Sequence, residues 1–146
     1  MNLIALLGKS LKSPELLNLF EDYNVQVTYT YDRLQEGLDD KYYGSLYELG
    51  LEFIFDEQQI LKTIFVFTQS TETYHAATTS ELGLECFESK TDALAYANKN
   101  KIEFREGNAT LFGNEQAWIK FMFNEYSVHY EFVKNTLTQV TLQSEC

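Results

Sequence analysis

Hydrophobic and polar positions change period several times along the chain, and each change marks a new element. Leu16, Leu19, Phe20 and Tyr23 fall at i, i+3, i+4 and i+7, the spacing of one helical face, directly after Ser13 and Pro14. Serine ahead of a helix can accept an orphan backbone N–H, and proline at the first helical position lacks the donor that would go unsatisfied there. Glu15 lies near the positive end of the dipole. The pattern predicts an amphipathic helix ending near Asn24. VQVTYTY (25–31) then alternates β-branched and aromatic residues with polar ones and predicts a half-buried strand.

Residues 34–50, LQEGLDDKYYGSLYELG, keep neither period. Beyond them LEFIFD and ILKTIFVFT flank EQQ and predict a hairpin. Leu51, Phe53 and Phe55 share one face of its first strand, and Leu61, Phe65 and Phe67 one face of its second, at spacing two. Ile54, Ile64 and Val66 point the other way, so the pair is expected to be central and covered on both sides. STETYHAATTSELG (70–83) is polar and aperiodic, the mark of a connection. Ser89 can cap a helix through KTDALAYANKN, with Leu94 and Ala97 inward and Asp92 and Lys99 suited to its two dipole ends.

The last third repeats at spacing two. Ile119, Phe121 and Phe123, then Val128, Tyr130 and Phe132, then Thr138, Val140 and Leu142 predict a three-stranded meander broken near Asn124 and Asn135. FIFDEQQILKTIFVF and FMFNEYSVHYEFV echo each other, as two hairpins of one sheet do without any duplication. One proline and no Gly/Ser-rich linker give no boundary, so a single domain (1–146) is expected. The expected fold is α+β: a mainly antiparallel sheet of about five or six strands with two short helices.

Composition narrows the partners. Of 146 residues 45% are hydrophobic, including eleven Phe and ten Tyr, so the net charge of −11 must sit on a folded surface. Acids outnumber bases 22 to 11, which repels nucleic acid and anionic membrane and steers toward a basic protein. LIALLGK at the start lacks the basic and long apolar regions of a secretory signal, and two cysteines, Cys86 and Cys146, make no disulfide framework. A cytoplasmic protein is expected.

Motifs for chemistry are missing from the sequence. His75 and His129 have no Cys or second His at ligand spacing, which argues against zinc, and no alternating oxygen-ligand loop is present for calcium. GLECFES around Cys86 matches no nucleophile motif, the hydroxyls of HAATTS beside His75 lack dyad spacing, and LGK is not a phosphate loop. No catalytic residue, metal or cofactor is expected. Cys86 reads as a packed thiol, and His129 as a residue on a sheet face.

Residues 34–57 stand apart. Glu36, Asp39, Asp40, Glu48, Glu52, Asp56 and Glu57 face Lys41 alone, seven acids against one base. Among them lie Tyr42, Tyr43 and Tyr47, rings that bury apolar area while their hydroxyls form hydrogen bonds, a combination enriched at interfaces. Glu36, Asp39, Asp40, Tyr42, Tyr43, Tyr47 and Glu48 are therefore the candidate partner-binding residues, with Glu81, Glu85, Glu88 and Asp92 as a possible extension. The alternative is that the tyrosines pack on the sheet and the acids are merely solvated.

GKSLKSPELLNLF followed by YELGLEFIFDEQQILKTIFVF resembles small immunity proteins of bacterial toxin–immunity systems, including those of contact-dependent growth inhibition, in size, acidity, capped helix and acidic-turn hairpin. The resemblance implies stoichiometric occlusion of a cognate toxin domain, often a basic nuclease, inside the producing cell. Two other readings compete: a small-ligand protein or enzyme with an aromatic pocket, and an acidic adaptor. The oligomeric state stays open.

Overall fold

The computed structural model describes residues 1–30 and 40–145. Three α-helices, α1 (Leu3–Leu6), α2 (Pro14–Asp22) and α3 (Lys90–Lys99), accompany eight strands: β1 (Val27–Thr30), β2 (Lys41–Leu46), β3 (Leu51–Phe55), β4 (Leu61–Phe67), β5 (Glu103–Leu111), β6 (Asn114–Met122), β7 (Tyr126–Val133) and β8 (Thr136–Ser144). All form one antiparallel sheet in the order β1-β2-β3-β4-β8-β7-β6-β5. Each half is a helix followed by a four-stranded meander, and the halves meet where β4 pairs with β8. The fold class is as expected, but eight strands replace five or six and three helices replace two. The echoing hairpins do not superpose in this plan: β3 and β4 end the first meander, whereas β6 and β7 are the middle of the second.

One face of the sheet carries the core. Along the register Leu46, Leu51, Val66, Val140, Tyr130 and Ile119 follow one another across six strands, all buried. Helix α2 lies on this face through Leu16 and Phe20, whose ring is centred 5.8 Å from that of Phe53 and 6.0 Å from that of Phe55. Gly44 makes the approach possible, because a Cβ there would stand 2.7 Å from Cζ of Phe20. In the other half Phe87 and Tyr96 bring α3 onto Phe121. Lys90, buried at the first position of α3, donates to Gly107 O at 3.2 Å and Asn108 Oδ1 at 3.1 Å and pairs with Glu106 Oε1 at 2.9 Å, tying the helix to edge strand β5.

Two one-residue irregularities correct the expected faces. Phe55 pairs with Leu61 but Ile54 with Thr63, so Lys62 is an extra residue and parity inverts along β4. Ile64 and Val66 therefore join Leu61 in the core, while Phe65 and Phe67 turn to the opposite face and are half-buried. Likewise Glu131 pairs with Gln139 and Phe132 with Leu137, which makes Thr138 the extra residue and puts Leu137 in the core in its place. The central hairpin is covered by helices on one face; on the other, Tyr74 from the connection after β4 lies over Phe67 with ring centroids 4.4 Å apart.

Other local expectations shift. Ser13 precedes α2 but makes no side-chain cap, and its Oγ is buried without a hydrogen-bond partner. Ser89 does cap α3, accepting from Asp92 N at 3.2 Å, although Ala93 and Ala97 are the fully buried positions and Leu94 is half-buried. Strand β1 is exposed at all four residues rather than half-buried, as befits the edge of the sheet.

Candidate partner-binding site

The segment after β2 turns through a short 3₁₀ helix, Tyr47–Leu49, closed by Gly50 at φ +69°. This turn displays Tyr47 and Glu48 while fixing their backbone. The Tyr47 carbonyl accepts from Gly50 N at 3.4 Å and from His75 N at 2.9 Å. The Tyr47 ring lies 5.0 Å from that of Tyr74, which in turn lies on Phe67. The Tyr74 hydroxyl donates to Glu52 Oε2 at 2.9 Å and stands 3.1 Å from Ser45 Oγ. Burial, aided by the Glu52 carboxylate, pushes the Tyr74 phenol up to about 12. Tyr47 is thus an aromatic ring that remains 50% exposed yet is braced from behind.

Beside it ends α2. Tyr23, its C-terminal cap, is 42% exposed and lines a cleft of about 360 Å³ together with Tyr47, Glu48, Leu46, Ser45 and Thr28. A second cleft, about 660 Å³, shares Tyr23 and adds Leu49, Leu82 and Glu81. Glu48 and Glu81 are exposed, as are Glu21 and Asp22 just before Tyr23; among the described residues no lysine or arginine lines either cleft, and the cation at the second is the Met1 ammonium, which donates to Glu81 O at 3.0 Å. Glu48 has no ion pair among the described residues. Exposed tyrosines rimmed by unneutralised carboxylates can bury apolar area against a partner while drawing cationic groups to the rim.

The seven candidate residues are divided by this geometry. Glu36 and Asp39 lie outside the described residues. Tyr42 points to the helix-bearing face, where its ring lies 4.8 Å from that of Tyr29, and Tyr43 to the opposite face, paired with Ile54. Asp40 accepts the Tyr29 hydroxyl at 2.6 Å. Of the five described candidates, Tyr47 and Glu48 are the ones that meet in the cleft. Of the proposed acidic extension, Glu81 joins the corner, whereas Asp92 lies in the first turn of α3 and Glu85 uses its carbonyl to accept the Tyr130 hydroxyl at 2.8 Å. Tyr23 was assigned to the buried stripe of α2 by its i+7 spacing; the helix stops at Asp22, and the ring faces the cleft instead. Asn24, where the pattern ends the helix, adopts the left-handed conformation at φ +51°, and the helix closes two residues earlier, leaving Tyr23 as its cap.

The Tyr29–Asp40 bond has a measurable signature. The carboxylate accepts from the neutral phenol and repels the phenolate, and the Tyr29 phenol is pushed up to about 12. Asp40→Ala is expected to bring it down toward the ordinary tyrosine value, read by NMR titration of the ¹³C-labelled Tyr29 ring. An unchanged titration would show that Asp40 is not its partner in solution.

Groups with chemical potential sit elsewhere. Cys86 is half-buried, and burial pushes its thiol up, which favours the protonated form. His129, on the face opposite the helices, has its ring 5.3 Å from that of Trp118 and is held below the usual histidine value by burial, with Glu131 opposing. Trp118 lies across Gly107, where a Cβ would meet Nε1 at 2.6 Å. Among the described residues no three His, Cys, Asp or Glu side chains gather to hold a metal, and no helix is long and apolar enough to cross a membrane. Comparison of the chain with protein-family models, with curated proteins and with solved structures gave no match.

Proposed function

We propose that this chain is an immunity-type protein of the cytoplasm that binds a basic toxin domain, a nuclease being the fitting class, and neutralises it by stoichiometric occlusion. The observation that carries the reading is the braced Tyr47–Glu48 turn beside Tyr23, an exposed aromatic corner in which Glu48 has no ion pair among the described residues. A net charge of −11 supplies long-range attraction to such a partner, and carboxylates can occupy the sites a nuclease offers to phosphate. Occlusion requires no chemistry from Cys86 or His129. The aromatic-pocket alternative draws less support: Phe53, Phe55 and Phe121 are buried in the core, and Phe132, which borders a cleft of about 620 Å³ with Asn108, Thr110, Glu115 and Gln116, is itself only 1% exposed.

The test begins with the reading frame beside this gene. Its product is expected to arrest growth when expressed alone and to be harmless when co-expressed with this chain. Tyr47→Ala combined with Glu48→Lys is expected to weaken the complex by about tenfold or more, with the circular dichroism spectrum retained. Cys86→Ala and His129→Ala, where folded, are expected to protect as the native chain does. Full affinity in the Tyr47/Glu48 variant would remove the corner from the interface, and a harmless neighbouring product would remove the toxin.

A further inference from the structure

The smaller cleft has the chemistry of a seat for one side chain. At about 360 Å³ it is at the low end of ligand-sized clefts, which run from roughly 300 to 1,000 Å³. Its lining includes two tyrosine rings and one carboxylate. The Tyr47 ring and the backbone of Tyr23 are set before anything binds. Tyr47 is held by Tyr74 and by its carbonyl bonds, and Tyr23 by its own N–H donating to Leu19 O at 3.3 Å and by the turn that returns Val25 N to Phe20 O at 2.8 Å. Bracing by Tyr74 leaves the Tyr47 ring less ordering entropy to lose on association.

We infer that this cleft receives an arginine side chain of the basic partner, its guanidinium stacking on tyrosine and pairing with Glu48. The inference rests on the basic-partner reading above and names the group that the corner selects. An uncharged aromatic side chain would cover the rings but leave the Glu48 carboxylate desolvated without a counter-charge. Lysine would neutralise Glu48 and can rest over a ring, but its compact, strongly hydrated ammonium covers less of the ring and gives up more hydration than a planar guanidinium. The guanidinium does both, being planar, weakly hydrated and able to donate along its edge while its face covers an aromatic ring.

The probes are acetyl-arginine amide and acetyl-lysine amide, titrated separately into the full-length chain and followed by ¹H–¹³C spectra of the tyrosine rings. Arginine amide is expected to shift Tyr23 and Tyr47 saturably and to bind about fivefold tighter than lysine amide. Tyr47→Phe, which keeps the ring, should retain that preference, Tyr47→Ala should lose it, and Glu48→Gln should weaken arginine binding severalfold. Equal affinities for the two amides, or arginine shifts confined to other tyrosines, overturn the inference. If those failures accompany a Tyr47/Glu48 variant that no longer binds the toxin, the partner reading stands and only the arginine seat falls. If arginine amide binds as expected while the neighbouring product is harmless alone, the immunity reading falls and the guanidinium seat remains.

Discussion

Phe53→Ala is expected to lower the free energy of unfolding by about 3–5 kcal/mol, the cost of lost burial plus a cavity that its neighbours cannot close. Phe53 is 0% exposed and stands in register between Gly44 on β2 and Ile64 on β4, with the Phe20 ring 5.8 Å away. Its removal empties the place where α2 meets the sheet. Phe65→Ala is the informative companion. Strict alternation puts Phe65 with Leu61 in the core, but the extra residue Lys62 sends it to the half-buried opposite face, where truncation should cost only about 1–2 kcal/mol. Urea denaturation of the two variants, with unchanged slopes, measures both. Equal losses would place Phe65 in the core and remove the inversion of parity at Lys62.

That contrast shows where the fold was legible. Leu51, Phe53 and Phe55 obeyed a period of two throughout, because β3 lies between two strands and buries one face continuously. In β4 the apolar residues are legible but their faces are not, whereas in β8 Val140 and Leu142 fall on the core face as expected and only Thr138 gives way, to Leu137. Nothing in ILKTIFVFT marks Lys62 as an insertion, and one extra residue sends every later side chain to the other face. Strand β5, EFREGNATL, escaped notice because an edge strand bearing Glu103, Arg105, Glu106 and Gly107 carries charge where a central strand carries Val and Ile. Strand β2 was hidden by Gly44, a weak strand former that is required there because the Phe20 ring fills its side-chain space. The acid-rich segment contains Tyr47 and Glu48, which line the cleft. It could not reveal Tyr23, which reaches the same cleft from α2 through tertiary packing alone.

Gly50→Ala is expected to cost about 2–5 kcal/mol, the sum of left-handed strain of about 1–2 and of overpacking of about 1–3 kcal/mol. Gly50 has φ +69°, and a Cβ on it would press into the His75 carbonyl oxygen, with Ala77 N at 2.8 Å and Phe67 O at 3.1 Å. These are backbone atoms, which cannot rotate aside as a side-chain tip can. Gly113→Ala isolates the conformational share, since its φ is +78° with nothing within 4 Å of the Cβ, and it should cost only about 1–2 kcal/mol. The excess at Gly50 has a functional consequence. Relief of the clash moves His75 and Ala77 off the turn, which breaks the His75 N–H to Tyr47 carbonyl bond and withdraws Tyr74, the brace behind the Tyr47 ring. In Gly50→Ala the amide of His75 should therefore exchange faster than in Gly113→Ala, and the Tyr47 ring should lose its affinity for arginine amide although Tyr47, Glu48 and Tyr23 are all still present. Retained ring contacts and retained binding in a destabilised Gly50→Ala chain would show that the cleft does not depend on the brace. Loss of binding with native His75 protection would place the dependence on the 3₁₀ turn itself, within Tyr47–Leu49, rather than on the connection that leans against it.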